Sequence, residues 1–217
     1  MEKNKKQLIN EIKSMQKNIL LSKKINSQLK KFNSFKNKSS NEWFSELCFC
    51  ILTANSKAET AIKIQNELGA KGFIESPSLK IKKTIKKHKH RFHNNKTKFI
   101  LEARKHLNIK KELNELLKKE EKKNAREFLV KNIKGIGMKE ASHFLRNTGA
   151  KNLAILDRHI LNVLNEYNII KQKPKALNKI NYLKIEKKFL SLANELKMNA
   201  AELDLFMWFM KTGKILK

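Results

Sequence analysis

Apolar residues recur at helical spacing through most of this chain, and no stretch of useful length alternates as a strand would require. Leu8, Ile12, Met15, Ile19 and Ile25 stand among lysines and asparagines, which predicts one or two amphipathic helices over residues 1–31 with a basic outer face. Residues 33–40 are polar and turn-like. From Asn41, an N-cap ahead of Glu42, a helix apolar on nearly every side runs to about Leu52 and is expected to be buried. A helix over 57–68 is stopped by Gly69 and Gly72, and Ser76-Pro77-Ser78 opens the next by cap and proline logic. Further helices are expected at about 78–88, 95–107, 110–121, 123–132, 138–146, 157–166, 182–196 and 200–210, with a loop over 171–181 containing Pro174. With two Pro and six Gly, long helices are permitted and a β-sandwich is disfavoured. The fold class is all-α.

Within that pattern, residues 131–159 carry the densest chemistry. A helix end leads into the tight turn Gly135-Ile136-Gly137, where glycine permits positive φ and a helix start presents N–H groups that suit a phosphate oxygen. Lys139 sits in the first turn of the following helix, where the positive helix end and Lys134 disfavour an ammonium. Asp157 follows 18 positions later at the start of another helix. An amine that can be neutral and a fixed carboxylate are the equipment of Schiff-base chemistry.

Charge narrows the partner. A formal net charge of +29 favours a polyanion through counterion release and faster encounter, whereas a neutral metabolite would not call for it. Lysine, asparagine and isoleucine are abundant enough for base composition of the gene to contribute to that charge. Cys48 and Cys50, two apart in an apolar run, read as buried free thiols in a reducing cytosol. No apolar segment reaches the length of a membrane span, and the charged N-terminus lacks the apolar core of a signal peptide. His88, His90 and His93 have no i, i+4 pair and no interleaved carboxylate, so they read as solvated or phosphate-facing, and no metal is expected. His143 and His159 read as packing or hydrogen-bonding residues around the hairpin.

Gly135-Ile136-Gly137-Met138-Lys139 and Leu156-Asp157-Arg158-His159 resemble the helix-hairpin-helix and aspartate loop of the endonuclease III-type DNA glycosylases. With KEASHFLRN, LAILDRHIL, AELDLFMWFM and the terminal KTGKILK, the resemblance is closer to the archaeal-type (second) family of 8-oxoguanine DNA glycosylase/AP lyases, from about Trp43 to Lys217. It implies two helical lobes, residues 1–54 with 151–217 and residues 55–150, with the hairpin and catalytic cleft between them. It further implies excision of 8-oxoguanine through a lysine Schiff base, followed by β-elimination. The expected partner is double-stranded DNA containing 8-oxoguanine or an abasic site, bound by a monomer that is cytoplasmic and nucleoid-associated. Some relatives hold an iron–sulfur cluster on four cysteines; two cannot supply it, so no cofactor is expected.

The same resemblance assigns roles residue by residue. Lys139 is the nucleophile and Asp157 the stabilising carboxylate; Gly135 and Gly137 grip phosphate. Asn55 fills the gap left by the flipped nucleotide, Phe92 is a second wedge, and Arg91 lies beside the opposite base. Trp208 stacks on the extruded base, and the α-carboxylate of Lys217 assists its recognition. Plainer readings stand beside these: a solvated helix lysine, an N-cap aspartate, a turn asparagine, core aromatics at Phe92 and Trp208, and a frayed end at Lys217. For the whole chain the alternatives are a non-catalytic DNA clamp, or a glycosylase for another oxidised base.

Overall fold

Helix-start chemistry organises the chain. Asn4, Ser39, Asp157, Asn178 and Asn199 each stand in extended backbone and accept a hydrogen bond from a first-turn N–H, at the heads of helices Lys5–Lys17 (α1), Ser40–Thr53 (α3), Arg158–Glu166 (α10), Lys179–Glu195 (α11) and Ala200–Thr212 (α12). The other helices are Ile19–Phe35 (α2), Ala58–Glu75 (α4), Ser78–Lys87 (α5), His93–Ala103 (α6), Ile109–Lys118 (α7), Lys122–Asn132 (α8) and Met138–Asn147 (α9). The computed structural model describes residues 3–118 and 122–217, so the end of the helix expected over 110–121 lies outside it. Among the described residues there is no strand, and the fold is all-α.

Several boundaries differ from expectation for local reasons. Asn18 splits the N-terminal region into two helices by accepting from Leu21 N, and the second continues to Phe35. Gly69 does interrupt its helix, at φ 60° and ψ −177°, but helical geometry resumes to Glu75, so the element is kinked. The chain divides into two units, Met1–Phe35 with Gly149–Lys217, and Lys36–Thr148. The sequence reading places residues up to 54 in the first unit, whereas α3 belongs wholly to the second, because its packing partners lie there.

In that second unit α3 is the hub, packed against α4, α6, α7 and α9. From Trp43 to Thr53 every residue is buried, and each large apolar side chain so enclosed contributes roughly 1.5–3 kcal/mol. Trp43 meets Phe144 of α9 edge to face, with ring centroids 5.9 Å apart. Two polar clamps fix α9 further. Buried Glu46 accepts from Asn147 Nδ2 (2.6 Å) and Gln65 Nε2 (3.2 Å), and buried Arg126 donates to Ser142 Oγ (3.2 Å).

In the first unit α12 packs against α1, α2, α10 and α11. The extended segment before α10 carries backbone groups that no helix satisfies. Glu186 and Tyr182 of α11 serve them: Ala154 N donates to Glu186 Oε1 (3.0 Å), and Tyr182 OH donates to Ala154 O (2.6 Å). Ala201 N donates to Lys151 O at 3.0 Å, so α12 holds the start of the same segment.

Candidate active site

The hairpin uses its glycines differently. Gly135 takes φ +84°, and a Cβ there would stand 2.4 Å from Phe99 Cδ2, so only glycine fits. Gly137 is extended (φ −101°, ψ −173°), against the expectation of positive φ at both. Its N–H is not bare either, because it donates to Glu140 Oε2 at 3.2 Å. The first helical bond of α9 runs from Ala141 N to Gly137 O, leaving the N–H groups of Met138, Lys139 and Glu140 without an acceptor inside the helix. Those three stand at the positive end of the helix.

Lys139 Nζ lies 2.9 Å from Glu140 Oε1, with its side chain about a quarter exposed. The expected influence of Lys134 is weakened, since that lysine pairs with Glu102 at 3.5 Å. Glu140 thus holds the hairpin N–H with one oxygen and the candidate nucleophile with the other. A third group joins them. Lys96 is buried at 4% exposure, donates to Ile51 O at 2.6 Å, and couples electrostatically to Glu140 and Lys139. Burial lowers its pKa to about 8, with Lys139 adding to the effect and Glu140 opposing it.

Asp157 is fixed through both oxygens. Oδ1 accepts from Ile160 N (2.8 Å) as the cap of α10, and Oδ2 accepts from Trp208 Nε1 (3.2 Å). Trp208 is partly exposed, not a core aromatic, and its ring meets His159 edge to face at 5.9 Å. The tail after Gly213, a left-handed cap on α12, keeps Ile215, Leu216 and Lys217 partly buried.

Asn55 is exposed just beyond α3 in left-handed backbone (φ 60°); Lys57, not Asn55, caps α4. Arg91 is exposed with its guanidinium 4.5 Å above the Phe92 ring, and Phe92 is only half-buried, at the N-cap of α6. His90 corrects the sequence reading, being 2% exposed and bonded to backbone. His88 is partly exposed, and its Nε2 donates to Glu67 Oε2 at 2.8 Å. His143 is buried against Phe49, edge to face at 5.6 Å. Cys48 and Cys50 are buried and in no disulfide, and burial pushes the Cys48 thiol up in pKa. A groove of about 520 Å³ between α5 and α6 is lined by Lys82, Lys98, Lys105 and Glu102 and includes none of the predicted site residues.

The profile of the helix-hairpin-helix Ogg family, 8-oxoguanine DNA glycosylase, matches residues 25–198. The chain belongs to the 8-oxoguanine DNA glycosylase family. It is 47% identical over 193 residues to the 8-oxoguanine DNA glycosylase/AP lyase of Methanocaldococcus jannaschii, covering 89% of this chain and 91% of that one. The Aquifex aeolicus relative of the same name is 45% identical, covering 80% and 78%. A crystal structure of the M. jannaschii 8-oxoguanine glycosylase/lyase with a 15mer DNA containing 8-oxoguanine superposes at TM-score 0.93, with 46% identity, covering 97% and 100%. The Thermotoga maritima 8-oxoguanine DNA glycosylase superposes at 0.90, with 34% identity, covering 99% and 100%. Among the described residues no helix is long and apolar enough to cross a membrane.

Proposed function

We propose that this family member is a bifunctional 8-oxoguanine DNA glycosylase/AP lyase, with Lys139 as its nucleophile. The observation that carries the reading is the position of Lys139: in the first turn behind the hairpin, held by Glu140 beside three N–H groups that have no acceptor within the helix. In the proposed reaction, those groups take a DNA phosphate, and the arriving anion repels Glu140 and opens the ion pair. Released from the pair, the ammonium gives a proton to solvent, and the neutral Nζ attacks C1′ of the flipped nucleotide; the glycosidic electrons leave with the base, which gains a proton. One proton passes from nitrogen to the ring oxygen as the C1′–O4′ bond breaks, and the nitrogen lone pair closes onto C1′ to give a protonated imine. Removal of a C2′ proton then sends electrons to C3′–O and expels the 3′ phosphate. Hydrolysis of the remaining imine returns the lysine. Asp157, immobilised through both oxygens, steadies positive charge growing on the sugar.

Specificity rests on the Hoogsteen edge, where N7 of 8-oxoguanine is a donor and N7 of guanine an acceptor. An acceptor aimed there gains a bond with the lesion and meets repulsion with guanine, roughly 1–3 kcal/mol of discrimination. The segment ending in Lys217 is assigned that role, and Trp208, its indole N–H held by Asp157, the stacking face. Asn55, Phe92 and Arg91 enter the duplex as the nucleotide leaves it, and the protein works as a monomer. Borohydride added to the protein and an 8-oxoguanine duplex tests the whole reading. A covalent adduct in the unmodified protein, absent in Lys139→Gln, is expected. No adduct in the unmodified protein would overturn the Schiff-base route and the role of Lys139 as nucleophile.

A further inference from the structure

His90 joins the two loops assigned to enter the duplex. Its Nε2–H donates to Leu52 O at 2.9 Å, in the last turn of α3, three residues before Asn55. Its Nδ1 accepts from Phe92 N at 3.2 Å. The two partners require one neutral tautomer, protonated on Nε2 alone. The ring is 2% exposed and lies edge to face with Phe92, centroids 6.4 Å apart. Lys96 completes the junction by donating to Ile51 O, so two consecutive carbonyls at the α3 end are held by side chains from the neighbouring segment. Both loops are backbone-strained here, with Asn55 at φ 60° and Lys89 at φ 56°.

We infer that His90 is a positioning residue that couples the Asn55 loop to the Arg91–Phe92 loop, so that both enter the duplex in one concerted step. The inference rests on the wedge roles proposed above. Lys96 and His93 of α6 are the charged and titratable groups that face the ring, with Arg91 next to it in sequence. Burial holds the imidazole below its ordinary pKa; the Leu52 carbonyl and the backbone of His90 itself oppose this, and the electrostatic influence of Lys96 and His93 adds to it. A second proton would go to Nδ1 and remove the acceptor for Phe92 N–H. Uncoupling therefore sets in only on the acid side of the ordinary imidazole range.

Two variants divide the junction. His90→Asn keeps an acceptor near the Nδ1 position for Phe92 N–H and loses the Leu52 bond; His90→Gln keeps a donor near Nε2 and loses the Phe92 bond. Both are assayed for 8-oxoguanine excision from duplex and for cleavage of a preformed abasic site, with 2-aminopurine beside the lesion reporting extrusion. Each is expected to slow extrusion and excision about tenfold, with abasic cleavage changed less than about threefold. In the unmodified enzyme the ratio of excision to abasic cleavage falls toward acid pH; in His90→Asn it stays flat. Equal losses on both substrates would reduce His90 to a folding residue and overturn the inference. So would undiminished excision in both variants while Asn55→Ala and Phe92→Ala are impaired. If those alanine variants themselves excise normally, the wedge assignment fails, and the coupling fails with it.

Discussion

Replacing Gly135 by alanine separates two costs that the hairpin geometry makes distinct. The first is conformational: at φ +84° a Cβ costs about 1–2 kcal/mol. The second is steric. The new carbon would stand 2.4 Å from Phe99 Cδ2, 2.9 Å from Cε2 and 3.1 Å from Cγ, and displacing a packed ring costs typically about 1–3 kcal/mol. Together they amount to about 3 kcal/mol, which for a chain of this length lowers Tm by roughly 6–12 °C. Gly137→Ala is the control. Its backbone is already extended and its Cβ would meet only Glu140 Oε2, at 3.2 Å, so Tm is expected to move by no more than about 2 °C. Adding Phe99→Ala to Gly135→Ala, with Phe99→Ala alone as reference, should recover the steric part and leave the conformational part. Calorimetry on the four variants decides the matter. A Gly135→Ala protein that melts with the wild type would show that the turn does not need its left-handed geometry. Loss without any recovery in the double variant would show that Phe99 is not the obstacle.

Asp157→Asn preserves a good helix cap while removing the charge, so Tm should shift by a few degrees at most while excision falls by about 10² or more. Parallel collapse of fold and activity would make the carboxylate structural. Lys96→Met removes a cation whose pKa burial has lowered from 10.5 to about 8. Between those values the unfolded chain holds the proton and the folded one does not, so wild-type stability rises with pH relative to the methionine variant, by at most about 3 kcal/mol. Denaturant midpoints of the two proteins at pH 7 and 10 that run in parallel would contradict that burial. A tag fused after Lys217 should weaken 8-oxoguanine excision more than abasic-site cleavage, and equal effects on the two substrates would remove the chain end from base recognition.

What the residues alone disclose is local. The Gly135 turn, the helix start at Asp157 and the all-apolar α3 each depend on neighbours within about four positions, where sequence periodicity and capping chemistry act directly; even so, the cap of α3 is Ser39 and not the expected Asn41. Glu140 lies within that reach and still gives no signal. The usual capping signature begins with a side-chain acceptor, and Gly137 has none, so only the returning half of the exchange exists. His90, Lys96, Tyr182 and Glu186 lie beyond reach. Their backbone partners are 38, 45, 28 and 32 positions away, and nothing in the local pattern distinguishes a lysine bound for DNA from one bound for a buried carbonyl.

What distinguishes them is a helix end. The last turn of α3 is enclosed, so its outgoing carbonyls cannot turn to water, and each unsatisfied one would cost about 1–3 kcal/mol. Thr53 Oγ1 serves Cys50 O, Lys96 serves Ile51 O, His90 serves Leu52 O and Ser56 N serves Thr53 O, which accounts for all four. The negative helix end also favours a cation there, which offsets part of the cost of burying Lys96. In a chain with 49 basic residues, a buried lysine is therefore selected by an orphaned carbonyl and not by its own surroundings in sequence. The fixed α3 end in turn gives Asn55 a rigid base from which to project, and under the proposed wedge role the charge spent inside the fold supports the same step as the charge offered to DNA.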